Sequence, residues 1–250
     1  MKITFLGTSH GVPAADRYCT SIMVEAGDNV YLLDAGAPVI NLLLQMGIDL
    51  KRLKAVFISH AHMDHVAGLP DLACLMSWYF TDTSADFLLS DGEYLDMLKK
   101  YIVAADGTVV DENRVRMTAI EATDVYDDGC IKVEFIPTKH MPADKPSFAF
   151  LVTEKASGKK LFFSGDLSNR LKKEDFPEIL SKERTDAFIC ELAHISLDDL
   201  APHLETCLAQ TVYFNHVFPV EKYEDIAALK AEKKYEFEIV APDDGAVYEV

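Results

Sequence analysis

Positions 59 to 68 read Ser-His-Ala-His-Met-Asp-His-Val-Ala-Gly, so that His60, His62, Asp64 and His65 fall within six residues. Neutral imidazole nitrogen and carboxylate oxygen are zinc ligands, and manganese or iron tolerates the same set. The cysteines lie elsewhere, which sets soft-metal thiolate chemistry aside. The window directly follows the apolar run Ala55-Val56-Phe57-Ile58, a placement that a merely solvated histidine cluster has no reason to adopt. In extended backbone, side chains two apart point to one side, so His60, His62 and Asp64 share a face. A turn into the next helix then swings His65 inward, and four ligands converge.

Three further segments carry a polar residue at the end of an apolar run: Thr138-Lys139-His140, Phe163-Ser164-Gly165-Asp166 and Phe214-Asn215-His216. Strand mouths held by a buried scaffold are where sheets position catalytic ligands. His140, Asp166 and His216 are therefore the candidates to complete a two-metal centre.

The elements that must hold these residues follow from pattern. Alternation or short β-branched runs predict strands at Ile3 to Leu6, Ser21 to Glu25, Val30 to Asp34, Ala55 to Ile58 and Asp86 to Leu89. Five more are expected at Ile131 to Ile136, Phe148 to Thr153, Lys160 to Phe163, Ala187 to Cys190 and Val212 to Phe214. Apolar spacings of three and four predict helices at Ala37 to Met46, Leu69 to Tyr79, Glu93 to Ala104, Leu197 to Ala209 and Glu221 to Lys233. Strand runs followed by strand-helix alternation, in both halves, suit an α/β architecture of two sheets packed face to face with helices outside. With 250 residues, 49% of them hydrophobic, and no repeat or linker, one domain over 1-250 is expected.

The 24 basic and 41 acidic residues give a formal net charge of -17. Such a field repels phosphate backbones and anionic membranes, so a general nucleic-acid partner is disfavoured. No apolar run approaches the ~20 residues of a membrane span, and Met1 leads straight into strand pattern. The five cysteines are scattered and form no CxxC pair. They fit reduced thiols, and a cytoplasmic location is expected.

Met1 to Pro13, Leu32-Leu33-Asp34-Ala35-Gly36, the His60 to Gly68 window, His140, Asp166 and His216 occur in the order and context of the metallo-β-lactamase superfamily, which the chain resembles over nearly its whole length. The opening Lys2-Ile3-Thr4-Phe5-Leu6-Gly7-Thr8-Ser9 with Val12-Pro13 is similar to the branch containing ribonuclease Z and small phosphodiesterases. The resemblance implies the αβ/βα four-layer sandwich and two divalent metal ions, zinc first among them. It places His60, His62 and His140 on one ion, Asp64, His65 and His216 on the other, and Asp166 between them, with Asp34 bracing the ligand loop. The implied nucleophile is a water activated between the ions, oriented by Asp64.

A leaving alkoxide needs an acid, and the candidates are Glu191, His194 and His203. Cys190-Glu191-Leu192-Ala193-His194 partly matches the His-Glu-Ala-Thr segment of ribonuclease Z: the Glu aligns, while Cys190 and Ala193 replace the His and Thr. Glu191 is expected to hold the His194 imidazole in one tautomer, which suits His194 to general-acid work. His10 could touch substrate. Arg170, with Ser168 and Asn169, could meet an anionic group, and Trp78-Tyr79-Phe80 could wall the pocket or pack in the core. The leading function is hydrolysis of a small-molecule or nucleotide phosphodiester. The alternatives are transfer-RNA 3′-end processing of the ribonuclease Z type, against which the missing basic arm and the acidic balance count, and lactone or thioester hydrolysis. A non-catalytic scaffold would show gaps among the ligands, and none is present. The expected partner is a small-molecule substrate, with no membrane; a homodimer is left open.

Overall fold

In the computed structural model, residues 1–250 are described apart from Pro13, Thr108 and Asn169, and Lys172 and Lys173 by backbone alone. The first half runs β1 (Lys2–Gly7), β2 (Ser21–Ala26), β3 (Asn29–Leu33), α1 (Val39–Gln45), β4 (Leu53–Ile58), α2 (Met63–Val66), α3 (Leu69–Trp78), β5 (Ala85–Leu89), α4 (Gly92–Asp106) and β6 (Val115–Ala119). The second half runs β7 (Val125–Asp127), β8 (Ile131–Thr138), β9 (Ser147–Glu154), β10 (Lys160–Phe163), α5 (Ile179–Lys182), β11 (Ala187–Leu192), α6 (Leu197–Leu204), β12 (Thr211–Val217), α7 (Lys222–Glu232), β13 (Glu238–Val240) and β14 (Val247–Glu249).

These strands make two seven-stranded mixed sheets, ordered β14-β1-β2-β3-β4-β5-β6 and β13-β12-β11-β10-β9-β8-β7. Among the strands that lead to the site, β4 lies between parallel β3 and β5 and β11 between parallel β10 and β12, whereas β8 pairs antiparallel with β7 and β9. Parallel interior strands are covered on both faces, which explains why β4 and β12 read as apolar runs without alternation.

Three apolar layers result. Between the sheets lie Phe5, Tyr31, Phe57, Phe135, Phe150, Phe163 and Tyr213. Outside the first sheet, α1, α3 and α4 bury Leu43, Leu72, Met76, Leu98 and Ile102. Outside the second, Leu180, Leu200, Leu204 and Ile226 cover Phe162, Phe188 and Phe214. The four-layer sandwich expected from the sequence is the fold. In α3, Leu69, Leu72, Ala73 and Met76 are the buried face, at helical spacing. The α4 helix starts at Asp91, whose carboxylate accepts from the backbone N–H of Glu93 (2.8 Å), and stops at left-handed Gly107.

Phe150 is fully buried, with ring centroids 5.7 to 6.1 Å from Phe57, Phe135 and Phe163. Phe150→Ala is expected to cost about 3–5 kcal/mol of unfolding free energy, read from urea titrations as a lower midpoint at unchanged slope.

Two differences from the sequence reading stand out. The helix expected to reach Ala209 stops at Leu204, after which the chain turns so that Leu208 N–H meets the Leu180 carbonyl and Gln210 N–H the Thr185 carbonyl. The strands β6, β7, β13 and β14 were not foreseen. They lie at or next to sheet edges, and β7 and β14 are half exposed, so neither shows a buried apolar run. No helix among the described residues is long and apolar enough to cross a membrane.

Candidate metal centre

The centre forms along one edge of both sheets. The first sheet contributes the loop after β4, and the second contributes the ends of β8, β10, β11 and β12. Asp34, just past β3, has a left-handed backbone (φ 59°) and turns its carboxylate inward. It accepts from Ser59 N–H (2.7 Å), Ser59 Oγ (2.8 Å) and His65 Nδ1 (2.7 Å). That last bond leaves His65 Nε2 facing the centre, the arrangement by which an outer carboxylate sets the tautomer of a ligand histidine. Gly36 is required beside it, because a Cβ there would lie 1.6 Å from the Asp64 carbonyl oxygen.

His60 Nε2 and His140 Nε2 lie 3.0 and 3.1 Å from Nδ1 of His62. These three with Asp166 form one donor group, and Asp64, His65 and His216 form a second, each within 4.8 Å. Asp166 faces both. Its Oδ2 is 3.8 Å from His60 Nε2, 3.7 Å from His140 Nε2 and 3.3 Å from His216 Nε2, and its Oδ1 is 3.5 Å from His65 Nε2. All seven residues singled out as ligands are thus brought together.

His216 is held in a left-handed conformation (φ 54°), which costs a non-glycine residue about 1–3 kcal/mol. Its N–H donates to the Thr8 carbonyl, and its Nδ1 is 2.7 Å from Thr20 Oγ1. Burial depresses the pKa of His60 well below the ordinary imidazole value, lowers His62, and pushes His140 down to about 4, so all three present lone pairs at neutral pH. Burial opposes charge on His65, but the Asp166 and Asp34 carboxylates outweigh it and raise that ring. Burial likewise opposes charge on Asp166, and His216 and His65 outweigh it, keeping the carboxyl ionised.

Three buried atoms, His65 Nε2, His216 Nε2 and Asp166 Oδ1, have no hydrogen-bond partner. Such orphans are costly in a folded interior. All three point into the two donor groups, so the residues present fit divalent cations. Asp34→Asn is expected to weaken metal binding about 10- to 100-fold, measured by competition with a chromophoric chelator, because the amide no longer fixes the His65 tautomer.

The other candidates separate. His194 reaches the centre, with Nε2 3.0 Å from Asp166 Oδ2. Glu191 does not grip the His194 ring as expected. It is buried, and its carboxylate accepts from the backbone N–H groups of Leu167 (3.1 Å), Ala193 (2.6 Å) and His194 (2.9 Å), so it shapes the turn rather than the imidazole. Burial first, then the Asp166 charge, raises the Glu191 carboxyl. His203 sits on α6, stacked on Phe176 at 4.3 Å, and belongs to the helix layer. His10 stacks on Phe218 (4.7 Å) and lies 4.9 Å from the His216 ring, at the rim. Ser168 donates its N–H to Asp175, whereas Arg170 is exposed; Asn169 lies outside the described residues. Trp78 and Tyr79 are exposed, and Trp78 borders a groove with Val103 and Val109 in the outer helix layer, so neither walls the centre.

Two supporting residues were missed. Asp175 is buried and accepts from Lys139 N–H (2.9 and 3.0 Å) and Ser168 N–H (2.8 Å), tying together the loops that carry His140 and Asp166. Lys222 Nζ donates to the carbonyls of Leu192 (2.8 Å), Ala193 (3.3 Å) and Ile195 (3.1 Å), the turn that presents His194. In sequence both lie in charged runs that read as solvated surface.

Two mixed sheets under outer helices, with a histidine and aspartate cluster along one edge, define the metallo-β-lactamase fold. YhfI from Bacillus subtilis has this fold over 100% of the chain and 99% of its own, with a TM-score of 0.78 at 18% identity. The short form of human tRNase Z matches over 100% and 99%, with a TM-score of 0.75 at 19% identity. The family model described as anti-Pycsar protein Apyc1 matches residues 1–239, and the chain belongs to that family. It is also similar to the ribonuclease Z of Bradyrhizobium diazoefficiens, at 31% identity over 150 residues, which are 59% of this chain and 49% of that protein. The chain spans about half the length of the curated relatives it matches.

Proposed function

We propose that the protein is a binuclear phosphodiesterase acting on a small-molecule or nucleotide phosphodiester, with residues 1–250 working as one catalytic unit. The observation that carries this reading is Asp166, buried between the two donor groups with one oxygen toward His65 and the other toward His60, His140 and His216. Two ions, zinc by preference for this donor set, would be held by His60, His62 and His140 and by Asp64, His65 and His216, with Asp166 shared. When bound, the ions supply Lewis acidity and an acidified water.

The protein's own groups do the rest. Asp64 Oδ2 lies 3.6 and 3.7 Å from His65 and His216 Nε2, on the open side of the centre, where it accepts a proton of the attacking water and orients the oxygen toward phosphorus. His194 stands on the same side, partly exposed, and Asp166 raises its pKa against the opposing effect of burial. Its Nε2–H donates to the ester oxygen as the P–O bond breaks, so the leaving group departs as an alcohol. Glu191 and Lys222 hold that imidazole's turn from its N–H and C=O sides. The five thiols are free and fit a reducing cytoplasm.

A second reading is cleavage at the 3′ end of transfer RNA, favoured by the ribonuclease Z relatives and the tRNase Z fold neighbour. That kinship weighs against the charge argument that disfavoured a nucleic-acid partner. Between the His60 to His65 loop and His140, however, the chain is occupied by α3, β5, α4, β6, β7 and β8, elements of the sandwich itself. Metal-loaded protein should be assayed in parallel on bis(p-nitrophenyl) phosphate, a nucleotide phosphodiester, precursor tRNA, a lactone and a thioester. The reading expects the nucleotide diester to give the highest kcat/KM. Faster turnover of the tRNA or of either carbonyl substrate would contradict it.

A further inference from the structure

The loop between β1 and β2 carries a histidine that the two donor groups leave unused. His10 is half-buried at the rim of the centre, its ring centroid 4.9 Å from that of His216 and 5.6 Å from that of His194. One of its nitrogens falls within 4.8 Å of a nitrogen of each. Three nitrogens so placed could be read as a further cation site, but the hydrogen bonding decides against it. The backbone N–H of Val12 donates to His10 Nδ1 (3.1 Å). A backbone N–H can only donate, so Nδ1 holds a lone pair and the neutral ring carries its proton on Nε2. That nitrogen offers a hydrogen rather than a ligand lone pair. Among the described residues nothing accepts it.

The loop is built to hold this ring at the centre. Phe218 stacks on it at 4.7 Å, with 20° between the planes. Ser9, the preceding residue, is bridged to Cys19 on one side and to Val217, at the end of β12, on the other. At the following residue, a Cβ on Gly11 would lie 2.8 Å from Asp64 Oδ2 and 2.9 Å from its Cγ. Only glycine lets this backbone close against that carboxylate, so the loop meets the open side of the centre. The seven candidate ligands present lone pairs there and no hydrogen, while His194 serves the leaving oxygen. The non-bridging oxygens of a phosphodiester gain charge as water adds, and a fixed N–H aimed at such an oxygen stabilises the transition state more than the ground state.

We propose that His10 is a further catalytic residue, whose Nε2–H donates to a non-bridging phosphoryl oxygen and binds it more tightly as charge builds there. The proposal rests on the phosphodiesterase reading. No proton changes hands at His10, and the ring is neutral before and after the step.

His10→Phe keeps the bulk and the stack on Phe218 but removes the donor, and His10→Gln returns an N–H at similar reach. On thymidine 5′-(p-nitrophenyl phosphate), zinc-loaded His10→Phe should lose about 10²-fold or more in kcat with little change in KM and with parental metal content. His10→Gln should recover about tenfold of that loss. Sulfur accepts hydrogen bonds weakly, so of the two phosphorothioate diastereomers of this ester, one should lose far less than the other on His10→Phe. Nuclear magnetic resonance of protein labelled with nitrogen-15 histidine gives a reading without turnover: His10 should be the Nε2–H tautomer, and its signal should shift when inorganic phosphate is added to the zinc-loaded protein. An Nδ1–H tautomer, parental kcat in His10→Phe, reduced metal content in that variant, or equal loss on both diastereomers would overturn the role. A phosphate-induced shift of the Nε2–H signal in a protein that hydrolyses no phosphodiester would overturn the phosphodiesterase reading and leave His10 standing as a donor to oxyanions.

Discussion

Replacing Asp166 with alanine is expected to lower kcat/KM on a phosphodiester by about 10³-fold or more, with metal content falling below that of the parent protein. The carboxylate faces both donor groups, so its loss would take an oxygen donor from each and leave His65 and His216 aimed at an incomplete cluster. Metal-assisted charge stabilisation is worth several kcal/mol, and each 1.36 kcal/mol is tenfold in rate. The fold should survive, because the carboxylate is surrounded by site residues and contributes to none of the three apolar layers. Far-ultraviolet circular dichroism checks the fold, and elemental analysis of dialysed protein checks the metal. Parental metal content together with parental activity would contradict the role given to Asp166.

His194→Ala should separate chemistry from metal binding. The imidazole touches Asp166 and lies within 4.8 Å of the His216 donor but is not one of the seven candidate ligands, so metal content is expected to stay at the parental level while kcat drops about 10²- to 10⁴-fold, the usual worth of a positioned general acid. The loss should depend on the leaving group. A p-nitrophenolate needs little protonation and should be affected least, whereas an alkyl ester with a poor leaving group should be affected most. An equal loss on both would assign His194 to metal or substrate positioning instead.

The first donor cluster was legible because it is local. Four candidate donors within six residues, straight after the apolar β4, need only strand alternation and one turn to converge. His140, Asp166 and His216 were legible for a related reason, since each caps a buried strand whose end the sheet brings to the same edge. Side-chain direction past a strand end was not. Glu191 follows Cys190 in β11, and the ladder to β12 shifts register between Glu191 and Leu192, which sends the carboxylate beneath its own turn rather than across to the His194 ring. His203 misled because a histidine near a helix start resembles a capping or catalytic group, whereas its partner, Phe176, lies 27 residues away in sequence and is visible only once α6 is packed.

Long-range polar ties were equally hidden. Asp244 accepts from Thr8 N–H (2.9 Å) and Tyr18 N–H (2.6 Å), and Arg17 reaches the Pro242 carbonyl, so the loop that receives His216 is anchored by residues some 230 positions away. Nothing in a single sequence marks such a partner, because the pairing is made by the β1–β14 ladder closing the sheet. The core and the convergence of the donor groups thus read well where apolar pattern and local spacing decide them. Supports such as Asp175, Lys222 and Asp244 depend on which backbone groups the finished fold leaves unsatisfied.

Anomalous X-ray scattering from crystals of the metal-loaded protein, recorded at the absorption edge of the bound metal, addresses the pairing of ions directly. Two peaks are expected, one among His60, His62 and His140 and one among Asp64, His65 and His216, with an Asp166 oxygen ligating each. A lone peak, or metal bound away from Asp166, would contradict the binuclear centre.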